Sequence, residues 1–204
     1  MKAPLKIGLT GGMASGKSLV LRFLAQKGIP VLQTDQLGHQ LLKDKKASAA
    51  IYRRFGKEVF GRGGRVDRKK LGLAVFRKAA KLRQLNALLH PVILNQVREW
   101  TRQQASRPLS RPLLVVEVPL LYESRFDHYF DGVLCVSAPR ELRRKRLLRK
   151  GFSLSQIRLR EKSQWTQSQK DKRADWVILN RKGIKELKYG VDRWLRQLAK
   201  EGRA

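Results

Sequence analysis

The chain has 204 residues, a mass of 23.5 kDa and 42% hydrophobic residues, enough to bury the core of one domain with inserted subdomains. Lys and Arg number 46 against 16 acids, a formal charge of +30, which excludes a calcium-buffering protein. It points to polyanionic partners: nucleic acid, an anionic membrane or phosphorylated small molecules.

Leu5 to Leu9 reads as a first strand, and Gly11-Gly12 follows at once. Val20, Leu21, Phe23 and Leu24 then set a helical stripe within residues 19–26, closed by Gly28 as a C-cap. Ile29 to Leu32 is a second expected strand. Residues 36–112 are mainly helical by pattern, with breaks expected at Phe55-Gly56, Gly61 to Gly64 and His90-Pro91. Leu113 to Val118, Gly132 to Ser137 and Trp176 to Leu179 complete five strands. All are short, apolar and almost uncharged, as strands covered on both faces of a parallel sheet read. The single cysteine, Cys135, lies in the fourth run and reads as a core residue, so no intrachain disulfide framework is possible. Between the last two strands come an Arg-rich stretch, Arg140 to Lys150, a break at Gly151 and a polar helix from about Ser153. Ile184, Leu187, Val191, Trp194, Leu195 and Leu198 make an amphipathic C-terminal helix. The four tryptophans are dispersed and read as packing residues. No apolar stretch approaches the roughly 18 residues of a membrane span, and no signal-peptide core follows Met1. A soluble, cytoplasmic protein is expected.

Alternating strands and helices predict an α/β fold: a parallel five-stranded sheet flanked by helices. The core is expected in about 1–35, 113–138 and 175–204, with helical inserts at about 36–112 and 139–174.

Gly11-Gly12-Met13-Ala14-Ser15-Gly16-Lys17-Ser18 fits G-x-x-x-x-G-K-[ST] between an expected strand and an expected helix. Glycines let backbone N–H groups turn inward around phosphate oxygens, and the helix N-terminus adds partial positive charge. Lys17 can reach the outer phosphates and the Ser18 hydroxyl can hold Mg²⁺. ATP with Mg²⁺ is the expected pair. No guanine-reading [NT]-K-x-D is present, and the chain is short for a motor ATPase. A small-molecule kinase of the P-loop NTPase type fits best.

Further blocks occur in order: Leu9-Thr10 ahead of the phosphate loop, Gly28-Ile29-Pro30-Val31 before Asp35, Phe55-Gly56, Asp67-Arg68 with Leu71, Leu88-Leu89-His90-Pro91, and Val118-Pro119-Leu120-Leu121-Tyr122-Glu123-Ser124. Gln164, Lys170, Ala174-Asp175 and Val177-Ile178-Leu179-Asn180 follow. Over nearly its whole length the chain resembles bacterial dephospho-CoA kinase. The resemblance implies a helical acceptor-binding insert, a helical lid over 139–174, and ATP-dependent phosphorylation of the 3′-hydroxyl of dephospho-CoA to give CoA and ADP. It also implies that residues from Gly12 to Leu19 hold the nucleotide and that Asn180 lies on its adenine side. The chain departs from the family pattern at Gln33, where an acid is frequent, and at Ala14, Leu19, Glu117 and Lys145.

Asp35 follows the second strand, at the edge where open α/β sheets bind ligands. It is expected to accept or orient the acceptor hydroxyl's proton; the alternative is a helix N-cap. Arg149, in the lid-like stretch, is the arginine expected over the transferred phosphoryl group, with Arg140, Arg143, Arg144, Lys145 and Arg146 mostly a solvated face. His90 with Pro91 suits an acceptor-site or structural role, and Leu120 lies in the matching acceptor block. Arg68 suits acceptor phosphates or plain surface. Glu123 suits an acceptor ribose or a brace for a basic side chain.

Two other classes stay open: another nucleoside or nucleotide kinase, and a basic nucleic-acid-binding protein. Against the second, aromatic residues do not interleave with the basic runs. Nucleic acid is expected only as a non-specific partner of the basic surface. The basic excess concentrates in residues 43–83 and 140–173, within the two inserts.

Overall fold

A computed structural model describes residues 3–76, 78–108 and 111–203. β1 (Leu5–Thr10) runs into the phosphate loop and α1 (Lys17–Gln26), and β2 (Val31–Gln33) runs into α2 (Thr34–Leu41). α3 (Lys45–Phe55), a 3-10 turn (Lys57–Val59), α4 (Arg68–Phe76) and α5 (Ala79–Ala105) follow. Then come β3 (Leu113–Glu117), a second 3-10 turn (Phe126–Tyr129) and β4 (Gly132–Ser137). α6 (Arg140–Arg149), α7 (Leu154–Lys162), α8 (Gln167–Arg173), β5 (Trp176–Leu179) and α9 (Ile184–Lys200) close the chain.

The strands form one sheet in the order β2-β3-β1-β4-β5, every pairing parallel. β3 and β4 are buried at every residue, which is why they read as unbroken apolar runs. β1 lies between β3 and β4, with Leu9 opposite Glu117 and Thr10 opposite Cys135. The chain leaves β1 toward one side of the sheet and later crosses to β4 on the other. The end of β1 is therefore the switch point at which open α/β sheets offer a ligand crevice.

Two compact units divide the chain: Met1–Gln33 with Val97–Ala204, and Thr34–Gln96. In the first, Leu21 and Leu24 of α1 join Leu187, Val191, Trp194 and Leu198 of α9 against Ile7, Leu9, Leu134 and Ile178 of the sheet. Truncating one such leucine to alanine costs about 2–5 kcal/mol. The buried stripe of α9 begins at Leu187, because Ile184, expected on the same face, is 61% exposed. The second unit has its own core of Ile51, Phe55, Val59, Leu71, Val75 and Leu85. There Asp44 caps α3 by accepting from the Ala47 N–H at 2.9 Å, and Gly56, at φ 75°, ends it. Asp67 accepts from the N–H groups of Lys69 and Lys70 at 2.8 and 3.1 Å and so starts α4; these bonds hold its carboxyl below the usual range, that of Lys70 first.

Two expectations are corrected. No break occurs at His90-Pro91: α5 continues through Pro91. Proline removes one N–H and one intrahelical bond, and a helix of 27 residues retains the rest. The single polar helix from Ser153 is two helices. Ser153 with Gln156 and Thr166 with Gln169 each form a reciprocal capping box, so a second helix starts at Gln167.

Candidate active site

The phosphate loop follows β1. Gly11 and Gly16 take φ of 141° and 115°, which side chains avoid. Ala14 sits at φ 57°, a left-handed conformation costing a residue with a side chain about 1–2 kcal/mol. Lys17 is buried; its Nζ donates to the carbonyls of Gly11 at 3.0 Å and Gly12 at 3.1 Å, and lies 4.0 Å from Glu117 Oε1. Glu117 is buried at the end of β3, and Ser18 is exposed in the first turn of α1. The Ser15 hydroxyl is buried within the loop without a hydrogen-bond partner.

These groups suit a nucleotide phosphate and a hard cation. The ammonium, the inward loop and an orphaned hydroxyl match phosphate oxygens. The Ser18 hydroxyl and Glu117 carboxylate are oxygen donors of the kind magnesium takes alongside phosphate and water.

Distant residues brace the loop. Asn180, buried, donates from Nδ2 to the Ser15 carbonyl at 2.6 Å. Arg146 donates to Asn180 Oδ1 and to the Ala14 carbonyl, both at 3.1 Å. The Gly12 N–H donates to Gln167 Oε1 at 2.9 Å. Gln167 Nε2 donates to Asp171 Oδ1 at 2.7 Å, and Asp171 Oδ2 accepts from Ser137 Oγ at 2.7 Å. The Cys135 thiol donates to Asp171 as well, and burial, with that carboxylate, pushes its pKa up. Cys135 is thus a core residue, as expected. A cleft of about 910 Å³ opens on Gly12 and Met13, walled by Arg140, Arg144, Arg158 and Trp165 among others. Trp165 stacks on Tyr122 with ring centroids 5.1 Å apart.

Of the lid-like arginines, Arg149 is exposed in the last turn of α6, outside the residues walling this cleft. Arg143 and Arg146 reach the phosphate loop instead. A signal for Arg143 existed: it lies four residues before the apolar Leu147, and the two are the buried residues of α6. Glu123 accepts from Lys170 Nζ at 3.0 Å and from the Trp165 N–H at 2.7 Å. Lys170, wholly buried, also donates to the Pro119 carbonyl at 2.7 Å. Of the two roles weighed for Glu123, bracing a basic side chain is the one this geometry displays. Leu120 is half-buried, and its carbonyl accepts from Ser124 Oγ at 2.6 Å.

In the second unit, Asp35 is exposed in the first turn of α2, which starts one residue earlier at Thr34. It is therefore inside the helix rather than its N-cap. The exposed Arg68 meets His39 through Nη2 and Nε2. Burial first, then Arg68, lowers the His39 pKa against the pull of Asp35. His90, half-buried and ahead of the exposed Pro91 in α5, is lowered by burial.

A family model described as dephospho-CoA kinase matches residues 5–186. A dephospho-CoA kinase of Bdellovibrio bacteriovorus is 36% identical over 196 residues, 94% of this chain and 96% of that protein. One from Latilactobacillus sakei is 40% identical over 184 residues, 89% of this chain and 90% of its own length. Among solved structures, TT1252 from Thermus thermophilus superposes with a TM-score of 0.80 at 35% identity, covering 98% of both chains. A shikimate kinase from Acinetobacter baumannii shares the fold at a TM-score of 0.54 and 17% identity, covering 98% of this chain and 95% of its own. Among the described residues, no helix is long and apolar enough to cross a membrane.

Proposed function

The chain belongs to the dephospho-CoA kinase family, and we propose from that premise how its own residues carry phosphoryl transfer from ATP to dephospho-CoA, the final step of coenzyme A biosynthesis. The observation that carries the reading is the phosphate loop, with Lys17 folded across it and Glu117 at its root. Phosphoryl transfer asks a protein mainly for alignment and charge neutralisation.

Lys17 exchanges its bonds to the loop carbonyls for phosphate oxygens and follows the negative charge as it shifts. Residues Gly12 to Leu19 wrap the phosphates; the N–H groups of Gly12, Ser15 and Leu19 are already bonded within the protein, so the donors are those between them, with the Ser15 hydroxyl. Ser18 and Glu117 would hold Mg²⁺, which supplies charge neutralisation across the outer phosphates. Asp35 accepts, or orients, the proton of the acceptor's 3′-hydroxyl; its exposure and its place just beyond β2 support this role. Arg68, His90 with Pro91, and Leu120 belong to the acceptor side, where a neutral His90 imidazole presents one donor and one acceptor. Asn180 acts on the nucleotide by holding the Ser15 carbonyl. Arg149, exposed in the last turn of α6, is the arginine that the family resemblance assigns to the transferred phosphoryl group.

The test offers the purified chain Mg-ATP with dephospho-CoA, adenosine or CMP and follows ADP release. Turnover confined to dephospho-CoA is expected; none with it, at high enzyme concentration, overturns the reading. Asp35→Ala should lose most turnover while keeping ATP affinity. Normal turnover in that variant removes Asp35 from the chemistry.

A further inference from the structure

Arg143 is a buried cation facing the phosphate loop that forms no ion pair with any of the described residues. The residue is 7% exposed, and its Nε–H donates to the Ala138 carbonyl at 3.1 Å. A Cβ added to Gly12 would fall 2.7 Å from Arg143 Nη1, so the guanidinium lies directly against the loop backbone. Burial lowers its pKa, as does the like charge of Arg140 and Arg144, while Glu161 and Asp171 pull it up.

Neither carboxylate bonds Arg143, although Glu161 Oε1 is buried and lacks a donor. Glu161 is shared by Arg140 at 3.0 Å and Arg144 at 2.8 Å. Asp171 accepts from Ser137, Gln167 and Cys135. Among the described residues no carboxylate lies within ion-pair distance of Arg143. A guanidinium stays charged at neutral pH whatever its surroundings, so this charge cannot be shed. A buried charge without a partner is strongly unfavourable. Bracing the end of β4 through one carbonyl does not call for one, since a neutral side chain packs there at lower cost. Arg143 also lines the cleft that opens on Gly12 and Met13, with Nη1 beside Gly12.

We infer that Arg143 is a phosphate-binding residue: its Nη groups take oxygens of the nucleotide's polyphosphate where that group leaves the loop beside Gly12, and the Ala138 carbonyl fixes the guanidinium for that contact. Two parallel donors on a rigid plane suit phosphate, and a lysine reproduces the charge without the fork. The anion is named as ATP on the strength of the kinase reading; the need for an anion rests on Arg143 alone.

The experiment uses the full chain and its Arg143→Gln and Arg143→Lys variants. Melting temperature without ligand is measured, then the dissociation constants of sodium tripolyphosphate, Mg-ATP and dephospho-CoA by calorimetry. Arg143→Gln should keep or raise the ligand-free melting temperature, because it removes an unpaired buried charge. It should weaken tripolyphosphate and Mg-ATP by at least about tenfold, the factor for losing charge-assisted bonds. Dephospho-CoA affinity should not change, and Arg143→Lys should recover part of the loss. Unchanged polyphosphate affinity overturns the inference, as does a loss confined to dephospho-CoA. A lower melting temperature with normal affinity makes Arg143 a structural brace. If Arg143→Gln does not fold, the lysine variant decides by the same measurements, its affinity falling or not. Wild-type protein that binds tripolyphosphate yet never phosphorylates dephospho-CoA would sink the kinase reading and leave this inference standing.

Discussion

Lys170→Met isolates what holds α8 to the segment after β3. Lys170 is fully buried, with Nζ 3.0 Å from Glu123 and 2.7 Å from the Pro119 carbonyl. Methionine keeps the length and apolar stem but removes the charge. Glu123 then keeps the Trp165 N–H as a donor, but its Oε2 is buried and already lacks one. Removing one partner of a buried ion pair costs about 3–5 kcal/mol, because the other charge stays behind. For a chain of this size each kcal/mol moves the melting temperature by about 2–4 °C, so a fall of about 6–20 °C is expected. Replacing both partners, as in Lys170→Met with Glu123→Gln, should recover much of that loss. Thermal unfolding of wild type, both singles and the double, followed by circular dichroism and calorimetry at neutral pH, gives the coupling directly. A Lys170→Met loss under about 1 kcal/mol, or strictly additive single losses, would refute the reasoning.

Three further outcomes are expected. Ala14→Gly removes a left-handed strain of about 1–2 kcal/mol and adds about 0.5–1 kcal/mol of chain entropy; chemical denaturation should show equal or greater stability, and a loss above about 1 kcal/mol contradicts it. Asn180→Ala deletes the bond to the Ser15 carbonyl and one of the two bonds of Arg146, which should cost about 1–3 kcal/mol and weaken Mg-ATP binding; wild-type nucleotide affinity would show that the loop needs no such brace. His39 and His90 are both held below the ordinary value of 6.5, so the fold favours their neutral forms. Their contribution to stability is complete above that pH and is lost as pH falls through their folded values. Wild type should therefore lose stability on mild acidification, and a His39→Asn, His90→Asn double variant should lose less; identical pH slopes would exclude the effect.

The five strands were legible because burial on both faces leaves apolar runs such as Leu113 to Val116 with no polar alternation. Pro30 moved the start of β2: it lacks an N–H, although its carbonyl still accepts from the Val115 N–H at 3.1 Å. Strand order was not legible, since no single residue encodes which neighbour β1 takes. The phosphate loop was legible because its function requires glycines and a lysine at fixed spacing. Its braces were not, because Asn180 and Arg146 meet the loop across 165 and 132 residues of chain. Arg143 shows the same limit. In an arginine-rich helix, composition identifies a basic face, and only the packing of Leu147 selects the arginine that turns inward.

The glycines of the phosphate loop carry a consequence for how the chain matures. A Cβ added at Gly11 would collide with the Val136 carbonyl, one at Gly12 with Arg143 and Gln167, and one at Gly16 with Asn180. The loop leaves the ribosome well before the surfaces that shape it, which lie C-terminal to it in the chain. Until β5 and the start of α9 have emerged, nothing holds the Ser15 carbonyl or confines Gly16. A nascent chain therefore carries the whole phosphate-binding sequence long before it can grip a nucleotide. That ability arrives only when Asn180, 165 residues beyond Ser15, has emerged and folded back.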